Sequence, residues 1–495
     1  MKYLSTRDAS LRYDAAQVIA QGLSREGGLF TPEAFPSISR ELLETLVKAD
    51  YQTRAVTVMK LFLEDFSQEE LEDYAAKAYA YGTKFDTKAV APVQHVTEGT
   101  EVLELWHGPT CAFKDMALQM LPYLLTASLK KTGETKTACI LVATSGDTGK
   151  AALEGFRDVE HTKILVFYPK DGVSDIQKLQ MVTQKGDNVG VCAVVGNFDD
   201  AQSGVKEIFS DEALREQLAQ RGYFLSSANS INWGRVLPQV VYYISAYCDL
   251  VREGRISMGE KINFCVPTGN FGDILAGFYA KTMGLPVNML LCASNANNVL
   301  TDFIRTGTYD RNRPFYATAS PSMDILISSN LERLLYQLSG SDREVRGYME
   351  QLRDCGRYTV SDSLRDKIQA NFAAGWCSDD QAAETIAKVF GCEGYLMDPH
   401  TAVAYRVLEE YREKTGDQTL SVVLSTASPY KFCASVLEAM GVQEMRPGTQ
   451  ILDQLEEKTR TTAPRPLKEL ADKQVRFTQI TEKEAMKDVV LETLV

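Results

Sequence analysis

Histidine is scarce in this sequence, with four in 495 residues, and the ten cysteines are scattered without a single C-x-x-C pair. That distribution indicates neither a zinc site nor a disulfide framework, and reduced thiols in a cytosolic compartment are the simpler reading. Positive charge is the minority sign. The 53 basic against 66 acidic residues leave a net charge of −13, which argues against nucleic acid or an anionic membrane as a partner. Long apolar runs are missing too: Val236 to Tyr247 is too short for a membrane span and contains Pro238. The N-terminus has no apolar signal core, and it is not an Arg- and Ser-rich, acid-poor transit segment. A cytoplasmic protein is expected.

What is present is an ordinary globular composition, 44% hydrophobic and 24% charged, in a chain too long for one core, so two or three domains are expected. The first 95 or so residues read as helical, with Arg40 to Ala49 and Ser67 to Tyr81 as examples, and the turn Glu98-Gly99-Thr100 reads as a boundary. Beyond it, apolar runs of strand length alternate with helical patterns, as a parallel sheet requires. These runs are Cys139 to Ala143, Lys163 to Phe167, Val189 to Val195, Ile262 to Val266, Val287 to Leu291 and Ser421 to Leu424. Asn297 to Phe390 reads as mostly helical, Glu457 to Leu467 as a linker, and Thr481 to Val495 as an amphipathic tail.

Two stretches carry the chemistry. Pro267-Thr268-Gly269-Asn270-Phe271-Gly272-Asp273 joins the strand ending at Val266 to a helical pattern from Ile274 to Met283. Its glycines let backbone N–H groups approach an anion where the helix dipole also favours negative charge. A third glycine and an acidic ribose partner are lacking, so it is no dinucleotide fingerprint, and no Gly-Lys-Ser/Thr follows as in a Walker loop. A single phosphate monoester fits better, although a glycine turn without a ligand would read the same way. The second stretch is His107-Gly108-Pro109-Thr110-Cys111-Ala112-Phe113-Lys114-Asp115. Gly108 and Pro109 mark a loop, and Asp115 is the expected N-cap of a helix from Met116 to Leu129. Lys114 is either a solvated lysine at a helix start or an amine whose burial depresses its pKa and lets it condense with a carbonyl. A phosphate cup and such a lysine in one α/β chain suggest pyridoxal phosphate.

Further motifs follow in order: Gly22-Leu23-Ser24-Arg25-Glu26-Gly27-Gly28-Leu29-Phe30-Thr31-Pro32, Thr144-Ser145-Gly146-Asp147-Thr148-Gly149-Lys150, and Asn229-Ser230-Ile231-Asn232-Trp233-Gly234-Arg235. Met323-Asp324-Ile325 with Ser328-Ser329-Asn330-Leu331-Glu332-Arg333, and Ser425-Thr426-Ala427-Ser428-Pro429-Tyr430-Lys431-Phe432, complete the series. With these the chain resembles the threonine synthases, of the tryptophan-synthase-β-like (fold type II) class of pyridoxal enzymes, over nearly its whole length. The resemblance implies an α/β fold of two open, twisted, mostly parallel sheets flanked by helices, plus a mainly helical N-terminal domain. Its expected divisions are 1–98 for that domain, 99–130 with 255–450 for a large cofactor domain, 131–254 for a small α/β domain and 451–495 for a linker and tail. Residues 297–390 are similar to the helical insertion of longer members.

By the same resemblance Lys114 carries pyridoxal 5'-phosphate and shuttles protons, with Phe113 beside it. Gly269, Asn270, Phe271, Gly272 and Asp273 hold the cofactor's phosphate, and Thr426 faces the pyridine nitrogen. A neutral hydroxyl there makes the ring a milder electron sink, suited to elimination and addition. Asp147 stands where many relatives carry Asn beside the ring's 3'-oxygen. Ser145, Gly146 and Thr148 are implied to cradle a substrate carboxylate or phosphate, and Ser230 and Arg235, with Asn229, the substrate phosphate. Arginine suits that task because its planar donors stay charged at any working pH. His400, in Asp398-Pro399-His400-Thr401, reads as a helix-start or core histidine. The implied reaction turns O-phospho-L-homoserine and water into L-threonine and phosphate. The closest alternative is a threonine-synthase-like phospho-lyase releasing 2-oxobutyrate, ammonia and phosphate. A dehydratase would leave Ser230 and Arg235 without a phosphate, and a non-catalytic binding member would be expected to have lost Lys114 or the glycine loop. A monomer or homodimer, without metal, membrane or nucleic acid, is expected.

Overall fold

All six apolar runs are strands in the computed structural model, which describes residues 1–144 and 146–494, apart from the side chain of Asp199. They fall into two sheets. Ile262–Pro267, Val287–Ser294 and Ser421–Ser425 lie in a six-stranded sheet, in the order Phe372–Trp376, Val287–Ser294, Ile262–Pro267, Ser421–Ser425, Thr100–Glu104, Val93–Thr97. All its neighbours are parallel except the last pair. Thr137–Ala143, Thr162–Pro169 and Val189–Val194 lie in a five-stranded parallel sheet, flanked by Ile480–Thr481 and Tyr223–Ser226. The central strands are buried nearly end to end, because helices cover both faces of a parallel sheet.

The expected N-terminal helices are present as Arg40–Lys48 and Gln68–Ala78, with Ala15–Gln21 and Tyr51–Lys60 beside them. Ser39, Asp50 and Ser67 cap three of them by accepting from the amides of Leu42, Thr53 and Glu70. A small antiparallel sheet, Asp8–Tyr13, Tyr3–Ser5, Phe30–Pro32, was not expected there. The turn at Glu98 and Gly99, expected as a boundary, is the tip of a hairpin, and the larger sheet already includes Val93–Thr97. Gly99 supplies the positive φ that so tight a turn requires.

Helix Trp233–Arg252 is apolar on nearly every face. It packs on Gly272–Thr282 and on the N-terminal helices Arg40–Lys48 and Tyr51–Lys60, where Arg54 and Asp249 form a buried ion pair at 2.7 Å. The 297–390 segment is mostly helical, and it also sends Phe372–Trp376 into the six-stranded sheet. The C-terminal segment, expected as linker and tail, holds helix Gln450–Thr459, the edge strand Ile480–Thr481 and helix Met486–Leu494. That last helix buries Met486, Val489 and Val490 against the five-stranded sheet.

Candidate active site

The candidate residues sit where strands end and loops begin, the usual place for a ligand in an open α/β sheet. Lys114 ends the loop after Thr100–Glu104. This loop is laced to the neighbouring strand's end: Leu105 N donates to Ser425 O (3.0 Å), Phe113 N to Thr426 O (2.7 Å) and Ser428 N to Cys111 O (3.1 Å). Asp115 is not the N-cap expected of it. It is the first residue of a short helix, Asp115–Leu118, and its carboxylate turns back to accept from Thr110 N (2.8 Å) and Oγ1 (2.9 Å), closing the loop. The single helix expected from Met116 is accordingly two, the second being Leu121–Lys131 with Pro122 in its first turn. Lys114 is half-buried, with Nζ 4.9 Å from the centroid of the Phe113 ring. Burial pushes its amine down to about 8, opposed by Asp147 and Asp273 and assisted by Arg235 and Lys431. The fold therefore brings the other four groups close enough for their charges to act on the Lys114 amine.

Asp147 opens helix Asp147–Phe156 and is buried. Burial alone would raise its pKa. The Lys431 ammonium at 2.8 Å, the charge of Lys114 and a hydrogen bond from Gln177 (2.9 Å) hold it well below the usual carboxylate range. Lys431 is itself fully buried and also donates to Thr110 O at 2.9 Å. Asp147 is thus ionised, its charge met by the Lys431 ammonium. Gly146, just before it, has φ 136°, and a Cβ there would fall 2.5 Å from the Gln177 side chain, so only glycine fits. The N–H groups of Gly146 (3.0 Å) and Gly149 (2.9 Å) both donate to Thr144 Oγ1. Thr148 is half-buried in the same helical turn. Ser145 lies outside the described residues.

The glycine loop precedes helix Gly272–Thr282, with buried Phe271 at the N-cap in the left-handed conformation, φ 64°. Among the described residues the N–H groups of Gly269, Asn270, Phe271 and Gly272 donate to no protein acceptor. Four unpaired amides at a helix N-terminus make a cup for an anion. Asp273, in the first turn, is pushed up to about 7 by burial, against its bond from Ile274 N and the charge of Lys114, so it presents less than a full negative charge at neutral pH. Gly269 is required by contact rather than by φ, since a Cβ would lie 2.6 Å from Ser322 O. Gly269→Ala should therefore displace the Ser322 turn, lowering stability by about 1–3 kcal/mol and weakening cofactor retention. Thermal melting and the ratio of bound cofactor to protein check both.

Arg235 is the other exceptional group. It is buried, and Nη1 donates to Ala228 O, but Nε has no partner and no carboxylate pairs with the guanidinium among the described residues. Burial alone pulls it down to about 10. Ser230 is half-buried, and Asn330 Nδ2 ties it to the glycine loop by reaching Ser230 O (3.3 Å) and Asn270 O (3.1 Å). Asn229 is exposed. Thr426 is buried at its strand end. A cavity of about 1160 Å³ borders this loop, lined by Gly22, Leu23, Arg25, Asn229, Ile231 and Asn232 among others; Lys114 does not line it.

Family models place this architecture. One described as threonine synthase N terminus matches residues 2–79, one described as pyridoxal-phosphate dependent enzyme matches 102–427, and one described as threonine synthase, C-terminal, matches 401–490. The chain belongs to the threonine synthase family of pyridoxal-phosphate-dependent enzymes. It is 39% identical to threonine synthase from Pseudomonas aeruginosa, over 89% of this chain and 90% of that one. It is 41% identical to threonine synthase-like 1 from Homo sapiens over 87% of this chain, and spans 58% of that protein's length. The PLP-bound threonine synthase from Brucella melitensis has the same fold, with a TM-score of 0.88 and 36% identity over 100% of this chain and 99% of that one. The residues here fit the family's cofactor: an amine with a lowered pKa for its carbonyl, and four unpaired amides for its phosphate. Sequence reasoning passed over Ser322, Asn330 and Lys431 as site residues. Asn330 and Lys431 stand inside quoted motifs and Ser322 abuts one, so the signal was present, but nothing local marks Lys431 as the buried partner of Asp147.

Proposed function

We propose that the protein converts O-phospho-L-homoserine and water to L-threonine and phosphate, in threonine biosynthesis. The observation that carries this reading is Arg235. A protein with net charge −13 has carboxylates in excess, yet this buried guanidinium meets none among the described residues. An incoming phosphate would satisfy it with bidentate, charge-assisted bonds. The likeness to proteins named threonine synthase over most of the chain supports the same substrate.

Bound pyridoxal phosphate supplies an electron sink that acidifies hydrogens on the substrate carbons next to the amine. In this reading Lys114 holds it, with Phe113 alongside, the cup from Gly269 to Asp273 on its phosphate, and Asp147 and Thr426 at the ring. The Lys114 amine takes a proton from Cα and, once that one is passed on, a second from Cβ; protons return to Cγ as phosphate leaves and to Cα at the end. With a pKa of about 8 it has both forms populated near neutral pH. Arg235, Ser230 and Asn229 hold the phosphate that departs from Cγ, and water adds at Cβ. Ser145, Gly146 and Thr148 are assigned to the substrate's carboxylate or phosphate. We further propose a cytoplasmic monomer or homodimer with no nucleic-acid partner. Ten free cysteines suit a reducing compartment, and the net charge of −13 argues against nucleic acid.

Product analysis tests the reaction. The holoenzyme incubated with phosphohomoserine should yield threonine and phosphate in equal amounts. Equimolar 2-oxobutyrate and ammonia would make it a phospho-lyase, and no product despite bound cofactor would make it a binding protein.

A further inference from the structure

The turn just before Met323 and the run Asp398 to Thr401 play no part in the chemistry above, and the fold sets the first against Lys114 and the second behind it. Ser322, in the 3-10 turn Pro321–Met323, has its hydroxyl 3.4 Å from Lys114 Nζ and 3.4 Å from Asp147 Oδ2. The lysine donates to the hydroxyl, and the hydroxyl donates to the carboxylate. Asp147 is held ionised by Lys431, so this chain of donors has a fixed direction. From behind, Ser322 N donates to His400 Nε2 at 3.1 Å. A ring nitrogen that accepts carries no proton, so the imidazole proton is on Nδ1, which donates to Asp398 Oδ2 at 2.6 Å. His400 and Asp398 are both buried. The next residues of the turn are clamped as well: Asp324 accepts from Thr318 N (2.9 Å) and Asn295 Nδ2 (2.7 Å). A buried neutral imidazole spent on one backbone amide, in a turn fixed on both sides, leaves the Ser322 hydroxyl aimed at the amine.

We propose that Ser322 is the docking point of the Lys114 amine whenever that amine is free, and that His400, oriented by Asp398, is the positioning residue that holds Ser322 there. The inference rests on Lys114 being the cofactor lysine. A hydroxyl that accepts one N–H fixes the nitrogen over the site between its proton transfers, instead of leaving a four-carbon stem to search for its geometry. His400→Gln keeps an acceptor close to the position of Nε2, whereas His400→Leu removes it.

The test uses holoenzyme and cofactor-stripped full-length protein. In the holoenzyme, Ser322→Ala should lower kcat about tenfold, the scale of one hydrogen bond to a charged group, with KM little changed. In stripped protein, the rate at which Lys114 captures added pyridoxal phosphate, fixed with borohydride and located by peptide mass, should fall severalfold in Ser322→Ala and His400→Leu. His400→Gln should recover most of it. In a Lys114→Ala background, Ser322→Ala should leave noncovalent binding of pyridoxal phosphate unchanged, which a general loss of structure would not. Parental capture rates in Ser322→Ala, an equal fall in noncovalent binding, or identical behaviour of the Gln and Leu variants would overturn the proposal. A label on another lysine overturns the cofactor assignment together with this inference. Capture requires no phosphohomoserine, so failure of the proposed reaction reads out separately.

Discussion

Lys114→Ala should abolish turnover and the absorbance of the lysine-linked cofactor while leaving the protein folded. On the proposed reading, loss of the amine removes both the covalent attachment and the proton carrier, so activity should fall by about ten-thousandfold or more. The fold does not depend on this side chain. Its one side-chain hydrogen bond among the described residues is the 3.4 Å contact with Ser322, and the loop around it is held by backbone bonds to Thr426 and Ser425 and by Asp115 on Thr110. The pH linkage points the same way. A lysine whose folded pKa is lowered to about 8 disfavours the fold in its charged form, a penalty present in full below about 8 and gone above the unfolded value. At pH 7 the cofactor-free variant should therefore melt at or above the temperature of the cofactor-free parent. Pyridoxal phosphate should still bind noncovalently through the amides of Gly269 to Gly272. A variant that retained borohydride-fixed cofactor would show another lysine to be the attachment point.

The parts legible in the sequence share a physical cause. A strand buried on both faces, such as Ile262–Pro267, must be apolar throughout, and a loop that receives an anion needs glycine at particular places, so both leave local marks. Edge strands do not. Tyr223–Ser226 is half-buried at every position and Phe372–Trp376 mixes buried with exposed residues, so neither alternates cleanly nor forms an apolar run. The strands of the N-terminal sheet Tyr3–Ser5 and Phe30–Pro32 are too short to show a period. The C-terminal segment read as a tail because an amphipathic helix without its sheet looks unpartnered; Ile480 and Thr481 find that sheet at Ala193 and Val194, far away in the chain. The site divides likewise. Lys114 is marked as a candidate by its own loop, and Asp147 and Arg235 by motifs that resemble the family's, whereas the Ser322 to His400 contact and the Lys431 to Asp147 pair exist only once distant loops meet. His400 is indeed a buried residue of a helix's first turn, and its acceptor nitrogen has a task that its neighbours in sequence do not reveal.

Arg235→Ala separates the substrate from the cofactor. The bound pyridoxal phosphate and its spectrum should remain as in the parent, because the glycine-loop amides belong to a different segment and Arg235 makes no bond to them. The kcat/KM for phosphohomoserine should fall by roughly a hundredfold, since a charge-assisted contact in a partly desolvated site is worth about 2–4 kcal/mol. Stability should not fall in parallel: the guanidinium is buried with its Nε unsatisfied, and burial alone draws its pKa down to about 10. Removing a buried charge that no carboxylate among the described residues compensates relieves a desolvation penalty, so the alanine variant should melt no lower than the parent. Arg235→Lys restores charge but not the planar fork, and should recover only part of the rate. Added inorganic phosphate should compete with substrate in the parent and much less in the alanine variant. Near-parental kcat/KM together with undiminished phosphate inhibition in Arg235→Ala would remove the residue that carries the functional reading, and a substrate without phosphate would then have to be sought.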